Sequence, residues 1–115
     1  MGLGEIISGC VEMLRAIWDY IKKKFFIPLL KFFSNIVSFF KDPDRLRKLE
    51  NDNELLAVSI KDKLDSGGYN VINCLFDKSI NKIVDYNKDA QGITTNRLDS
   101  ETEAMFGDKD MLILE

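Results

Sequence analysis

Few side chains in this chain can do chemistry, and histidine is not among them. Its absence removes the commonest general base, every Ser-His or Cys-His nucleophile arrangement and most zinc sites. The two cysteines, Cys10 and Cys74, stand far apart in unlike settings. They make no disulfide framework, although a single bridge between them stays open, and a reducing cytoplasm is the expected compartment. Asp85, Asn87 and Asp89 alternate like the opening of a calcium loop. Ala90 then stands where that loop needs glycine, and Asn96 where it needs the closing glutamate, so the stretch reads as a polar turn. Asp108 and Asp110 read as a solvated turn around Lys109. There is no P-loop, no G-x-G-x-x-G and no nucleophile elbow. An enzyme working with carboxylates alone would need two of them aimed into one cleft, and no spacing here does that. The expectation is a non-enzymatic chain with no catalytic residue, metal or cofactor.

The chemistry that is present is binding chemistry, and it lies in the first forty residues. Six phenylalanines come as three pairs seven apart, Phe25-Phe26, Phe32-Phe33 and Phe39-Phe40. Burying one Phe is worth ~1.5–3 kcal/mol, so six offer on the order of 10 kcal/mol to whatever covers them. Lys22, Lys23, Lys24 and Lys31 flank these rings, and Trp18 and Tyr20 precede them; Trp and Tyr favour the boundary between oil and water. Two bland readings compete. The rings could form the core of a helical bundle, and the lysine run could be a solvated helix end. Cys10 falls on an apolar helix face, where packing is its ordinary role and S-acylation the alternative. Gly2 does not read as a myristoylation site, because Ile6 occupies the position that needs Ser or Thr.

Charge divides along the chain. Residues 1 to 41 carry six basic and three acidic side chains, a net of +3, while the rest carries ten against sixteen, a net of −6. An acidic module behind a basic, apolar front does not suit nucleic acid, which needs a basic face on the folded part. The front suits an anionic lipid surface. Hydrophobic residues make up 45% and charged residues 30%, a composition that folds rather than one that stays disordered. No secretory signal is expected, since Glu5 and Glu12 interrupt the first apolar run. A membrane-spanning helix needs ~20 nearly continuous apolar residues. Phe25 to Phe40 is shorter and is broken by Lys31, Ser34, Asn35, Ser38 and Pro28.

The elements expected to position these residues follow from periodicity. Leu3 to Lys24 shows one narrow polar side and a wide apolar one, an amphipathic helix. Phe25 to Phe40 is read as a second amphipathic helix, re-aimed by a kink or break that Pro28 imposes between Lys24 and Pro28. Asp42-Pro43 opens a third, long helix over 43–65, with Leu46, Leu49, Leu56 and Ile60 at heptad-like spacing and a possible break near Asn51. Alternation then predicts strands at 69–76 and 82–86 as a hairpin, followed by a polar loop from Asn87 to Asn96. A short helix over 100–106, boxed by Ser100 and Glu103 and stopped at Gly107, leads to a last strand at 111–114. The fold class expected is α+β. It comprises two amphipathic helices in residues 1–41, then a small acidic module in 42–115 with a long helix and a ββαβ arrangement.

Function follows as an expectation. The chain reads as a small membrane-associating effector or adaptor, cytoplasmic and peripherally bound, whose N-terminal helices insert at an anionic lipid surface and oligomerise, with a pore as one outcome. Trp18, Tyr20, Phe25, Phe26, Phe32, Phe33, Phe39 and Phe40 would insert; Lys22, Lys23, Lys24 and Lys31 would meet head groups. The alternative is a soluble binder, of the immunity or antitoxin kind or a homo-oligomeric scaffold, whose helices pack on an apolar protein surface.

Overall fold

The fold is organised by one mixed sheet with helices on both faces, as seen in a computed structural model that describes residues 9–114. Gly2 and the Leu3–Ser8 part of the expected first helix lie outside the described residues. Helix α1 spans Cys10–Ile17 and continues as one tight turn, Trp18–Tyr20. Strand β1 spans Lys24–Leu30. A π-helical stretch, Phe32–Val37, runs into the short helix α2, Ser38–Phe40. Helix α3 is Pro43–Asn51. There follow β2 (Leu55–Lys63), β3 (Tyr69–Asp77), β4 (Lys82–Val84), β5 (Ala90–Leu98), helix α4 (Ser100–Phe106) and β6 (Met111–Leu114). The strand order is β1-β5-β3-β2-β6, with β4 pairing the end of β3 beyond β5. The β1–β5 pair is parallel and the other pairs are antiparallel.

This arrangement corrects the expected one. Lys24–Leu30 is a strand, not the start of a second amphipathic helix. Pro28 inside a helix costs ~3 kcal/mol, whereas on an edge strand its missing donor is tolerated. Pro28 is exposed and has no register partner in β5, while Ile27 and Leu29 beside it do. The long helix over 43–65 does not form either. Asp42 caps α3 by accepting from the Arg45 N–H, Pro43 takes the first turn, and the chain turns extended at Asp52. Leu55–Lys63 then becomes β2, a central strand between β3 and β6. The expected polar loop from Asn87 to Asn96 holds most of β5, so the ββαβ module is replaced by a sheet of six strands. The cap of α4 is Asp99, not Ser100: its carboxylate accepts from the Thr102 N–H at 2.8 Å and from the Thr102 hydroxyl.

Both faces of the sheet are buried. On one side α1 places Cys10 and Leu14 with Ile21 over Val58, Ile60, Ile72, Cys74 and Phe76. On the other, Phe32, Ile36, Phe39, Phe40 and Phe106 cover Leu30, Val71, Leu75 and Ile93. Trp18 packs against β5 at Gly92, where an added Cβ would come within 3.0 Å of the indole and 2.9 Å of the Lys24 chain. The β2–β3 turn needs Gly67, whose φ of 99° strains any side chain. Among the described residues no helix is long and apolar enough to cross a membrane.

Candidate functional site: the basic, aromatic edge and its cavity

Strand β1 forms one edge of the sheet and decides where the sequence-predicted site residues go. Its side chains alternate, so Phe25, in register with Ile93, faces the π-helical side, and Phe26, in register with Thr94, faces the α1 side. Both are outward at the margin, Phe25 40% and Phe26 57% exposed. The next pair is split: Phe32 is 6% exposed and packed in the core, while Phe33 is 61% exposed, the two rings edge to face at 5.3 Å. Phe39 and Phe40 are both buried. Trp18 is half-buried with the Lys24 ammonium 5.7 Å from its ring, and Tyr20 is 64% exposed beside Tyr86. Lys22, Lys23, Lys24 and Lys31 are exposed. The structure thus leaves Phe25, Phe26 and Phe33 and the four lysines exposed on β1 and the segments flanking it, with Phe25 and Phe26 on opposite faces, and takes Phe32, Phe39 and Phe40 into the interior.

Beside Phe25 opens a cavity of about 510 Å³, walled by Lys23, Lys41, Arg45, Ser34, Asn35 and Gln91 among others. Its Asn35 and Gln91 walls are joined to a buried polar chain that sequence reasoning missed. The carbonyl of Asn35, in the π-helical turn, accepts from the Asn73 side-chain amide at 2.9 Å. Asn73 is fully buried; its oxygen accepts from Ser59, and its nitrogen also donates to Gln91 Oε1 at 3.2 Å. Asn73 and Ser59 sit within apolar strands, so alternation alone gives no sign that they meet.

Arg45 closes one wall. Its guanidinium stacks 3.8 Å from the Phe39 ring centre and donates to the Phe39 and Lys88 carbonyls. Its Nε faces Asp89 Oδ1 at 3.4 Å, and the Lys48 ammonium donates to the other carboxylate oxygen. That bond holds the Lys48 pKa above its ordinary value. Asp89, one of the three residues that alternate like a calcium loop, is therefore buried and committed to two cations. Both cysteines lie buried in the core between α1 and the sheet, Cys10 on the helix and Cys74 on β3; burial pushes both thiols up, Cys74 most, and the Asp110 charge adds to the effect at Cys10. A second groove of about 460 Å³, apolar and lined by Leu46, Leu49, Leu114 and Phe40, lies near the opposite edge.

Asp99 ties the edge to the rest of the molecule. Its carboxylate accepts from the Phe32 N–H at 3.2 Å as well as from Thr102, and its N–H donates to the Leu30 carbonyl. Burial alone would raise its pKa, but the bonds from Thr102 and Phe32 and the charge of Lys31 outweigh it and carry the pKa below the ordinary 3.8. A carboxylate lowered on folding contributes stability that is present above 3.8 and is lost as pH falls through the lowered value. Asp99→Ala is expected to cost about 1–2 kcal/mol at neutral pH, the ordinary loss for a cap. Acid titrations of the two proteins, followed by circular dichroism, should also show the variant losing less further stability below the usual carboxylate range.

No protein-family model, no curated protein and no solved structure matches this chain.

Proposed function

We propose that this protein is a non-enzymatic, peripheral membrane-binding module whose working surface is the β1 margin, meeting anionic lipid with Lys22, Lys23, Lys24 and Lys31 and dipping Phe25, Phe26 and Phe33 into the interface. The observation that carries the reading is the outward position of these three rings on a stretch with no carboxylate between Asp19 and Asp42. This differs from helix insertion. With Phe32, Phe39 and Phe40 spent on the core, the rings left outside are already partly covered, and each contributes about 1 kcal/mol to lipid contact. Four lysines near an anionic surface contribute ~1 kcal/mol each. Charge therefore carries the larger share, and the binding is weak, reversible and sensitive to salt.

Flotation with phosphatidylcholine vesicles, with and without phosphatidylserine, tests this. The protein is expected to float with the anionic vesicles, to leave them as salt approaches ~1 M, and to ignore the neutral ones. Sedimentation free of lipid in every condition overturns the reading. A second reading, a binder of apolar protein surfaces or of a second copy, is favoured by the groove at Leu46, Leu49 and Leu114. It expects no flotation and a discrete oligomer or complex without detergent.

A further inference from the structure

The cavity beside Phe25 presents donors, and the hydrogen bonds beneath it fix that polarity. The Asn35 carbonyl can only accept, so the Asn73 amide must turn its nitrogen to it and its oxygen to Ser59. The second proton on that nitrogen then meets Gln91, which must offer its oxygen. Gln91 is left with its NH2 end for the cavity. The same logic orients Asn35: the Lys31 N–H can only donate, at 2.7 Å, so it claims Asn35 Oδ1 and leaves that NH2 end over. Among the described residues neither amide nitrogen has a hydrogen-bond acceptor. Lys23 and Lys41 stand at the mouth, and among the described residues neither is in an ion pair. Asp42 also lines the cavity; one oxygen of its part-exposed carboxylate caps α3 and lies 4.0 Å from Arg45, so the lining holds one carboxylate against the cations of Lys23, Lys41 and Arg45.

From this we infer that the cavity binds a phosphate monoester. Two amide NH2 groups and two ammonium groups belong to residues that line one space, and the cations there outnumber its single carboxylate, Asp42, a balance that suits a dianion with several acceptor oxygens. The volume is within the range of small-molecule sites, so the group bearing the phosphate fits with it. The phosphate could belong to a soluble metabolite or to a lipid head group. In the second case the inference rests on the membrane reading above; in the first it does not.

Side-chain amide resonances of Asn35 and Gln91, followed by nuclear magnetic resonance during titration with inorganic phosphate, read the site directly. Both pairs are expected to shift and saturate, beyond any change made by chloride at equal ionic strength. Lys23→Glu with Lys41→Glu, both on exposed side chains, should weaken the apparent affinity by about tenfold or more while leaving the melting temperature in place. Amide signals that do not move with phosphate, or that move equally in the double variant, overturn the site. Vesicles carrying a phosphatidylinositol monophosphate, set against phosphatidylserine vesicles of matched surface charge, separate the sources. Stronger recruitment to the first assigns the site to a head group. Equal recruitment with the phosphate shifts intact overturns the lipid source and keeps the soluble one. A protein that ignores all vesicles yet shows the shifts loses the membrane reading alone.

Discussion

Phe32→Ala is expected to destabilise the fold by about 3–5 kcal/mol, and Phe33→Ala by about 1 kcal/mol or less, although the two are neighbours of identical type. Phe32 is 6% exposed and shares its cluster with Ile36, Phe39, Phe40 and Ile93, so truncation removes buried area and leaves a void between the π-helical turn and the sheet. Phe33 is 61% exposed and loses chiefly its edge-to-face contact with Phe32. Total stability of a domain this size is only ~5–15 kcal/mol, so the first change threatens folding and the second does not. Denaturant unfolding of the two variants decides it. Equal losses would mean that the pair is not divided between core and surface. The same contrast governs where binding is probed: a charge at Phe32 would report on folding, whereas a charge at Phe33 reports on the surface.

Asp89→Ala should cost about 3 kcal/mol or more, a fall in Tm of ~10 °C or more. The Asp89 carboxylate is 2% exposed and is held between Arg45 and Lys48, which come from α3, while Asp89 itself sits at the entry to β5. Removing it leaves the Arg45 guanidinium, with only 11% of its side chain accessible, no counter-charge but the looser contact with Asp42 at 4.0 Å. Lys48 is a third exposed and can turn to water, so the loss falls mainly on Arg45. Replacing both Asp89 and Arg45 with apolar residues of similar volume should recover part of the stability, because a pair removed whole leaves no orphan charge. A thermal melt of Asp89→Ala within a few degrees of the wild type would contradict this account of the cluster.

The parts of the fold that could be read from the sequence are those fixed by local chemistry. Asp42 before Pro43 starts α3 because a capping carboxylate and a residue without a donor both suit that position. Gly107 ends α4 with a positive φ. The parts that could not be read are those where tertiary burial outweighs local pattern. Strand β2 is covered on both faces, so Val58, Ser59 and Ile60 are all buried and the alternation that would mark a strand disappears. What remained visible was the Leu46-Leu49-Leu56-Ile60 spacing, which mimics a helix. Strand β5 looks polar because Gln91 and Thr94 bond through their side-chain oxygens to Asn73 and Asn70 on β3, partners that lie 18 and 24 residues away. The phenylalanine pairs repeat every seven residues and suggest one helical face. The chain instead spends the first pair on a strand, splits the second and buries the third.

The candidate site was partly legible for the same reason. The exposed lysines and the outward Phe25, Phe26 and Phe33 belong to the stretch whose composition stands out. Nothing in the sequence separates them from Phe32, Phe39 and Phe40, because that sorting is done by strands far along the chain. The Ser59–Asn73–Gln91 chain has no sequence signal: three polar residues in three strands become one feature only through register and the contact with the Asn35 carbonyl.

The central claim is that lipid is met by rings the core has left outside. Flotation of Phe26→Glu with Phe33→Glu on phosphatidylserine-containing vesicles, alongside the wild type and with a melt of each, tests it most directly. The account predicts an unchanged melting temperature and loss of flotation in the double variant. A folded double variant that floats as the wild type does would contradict it.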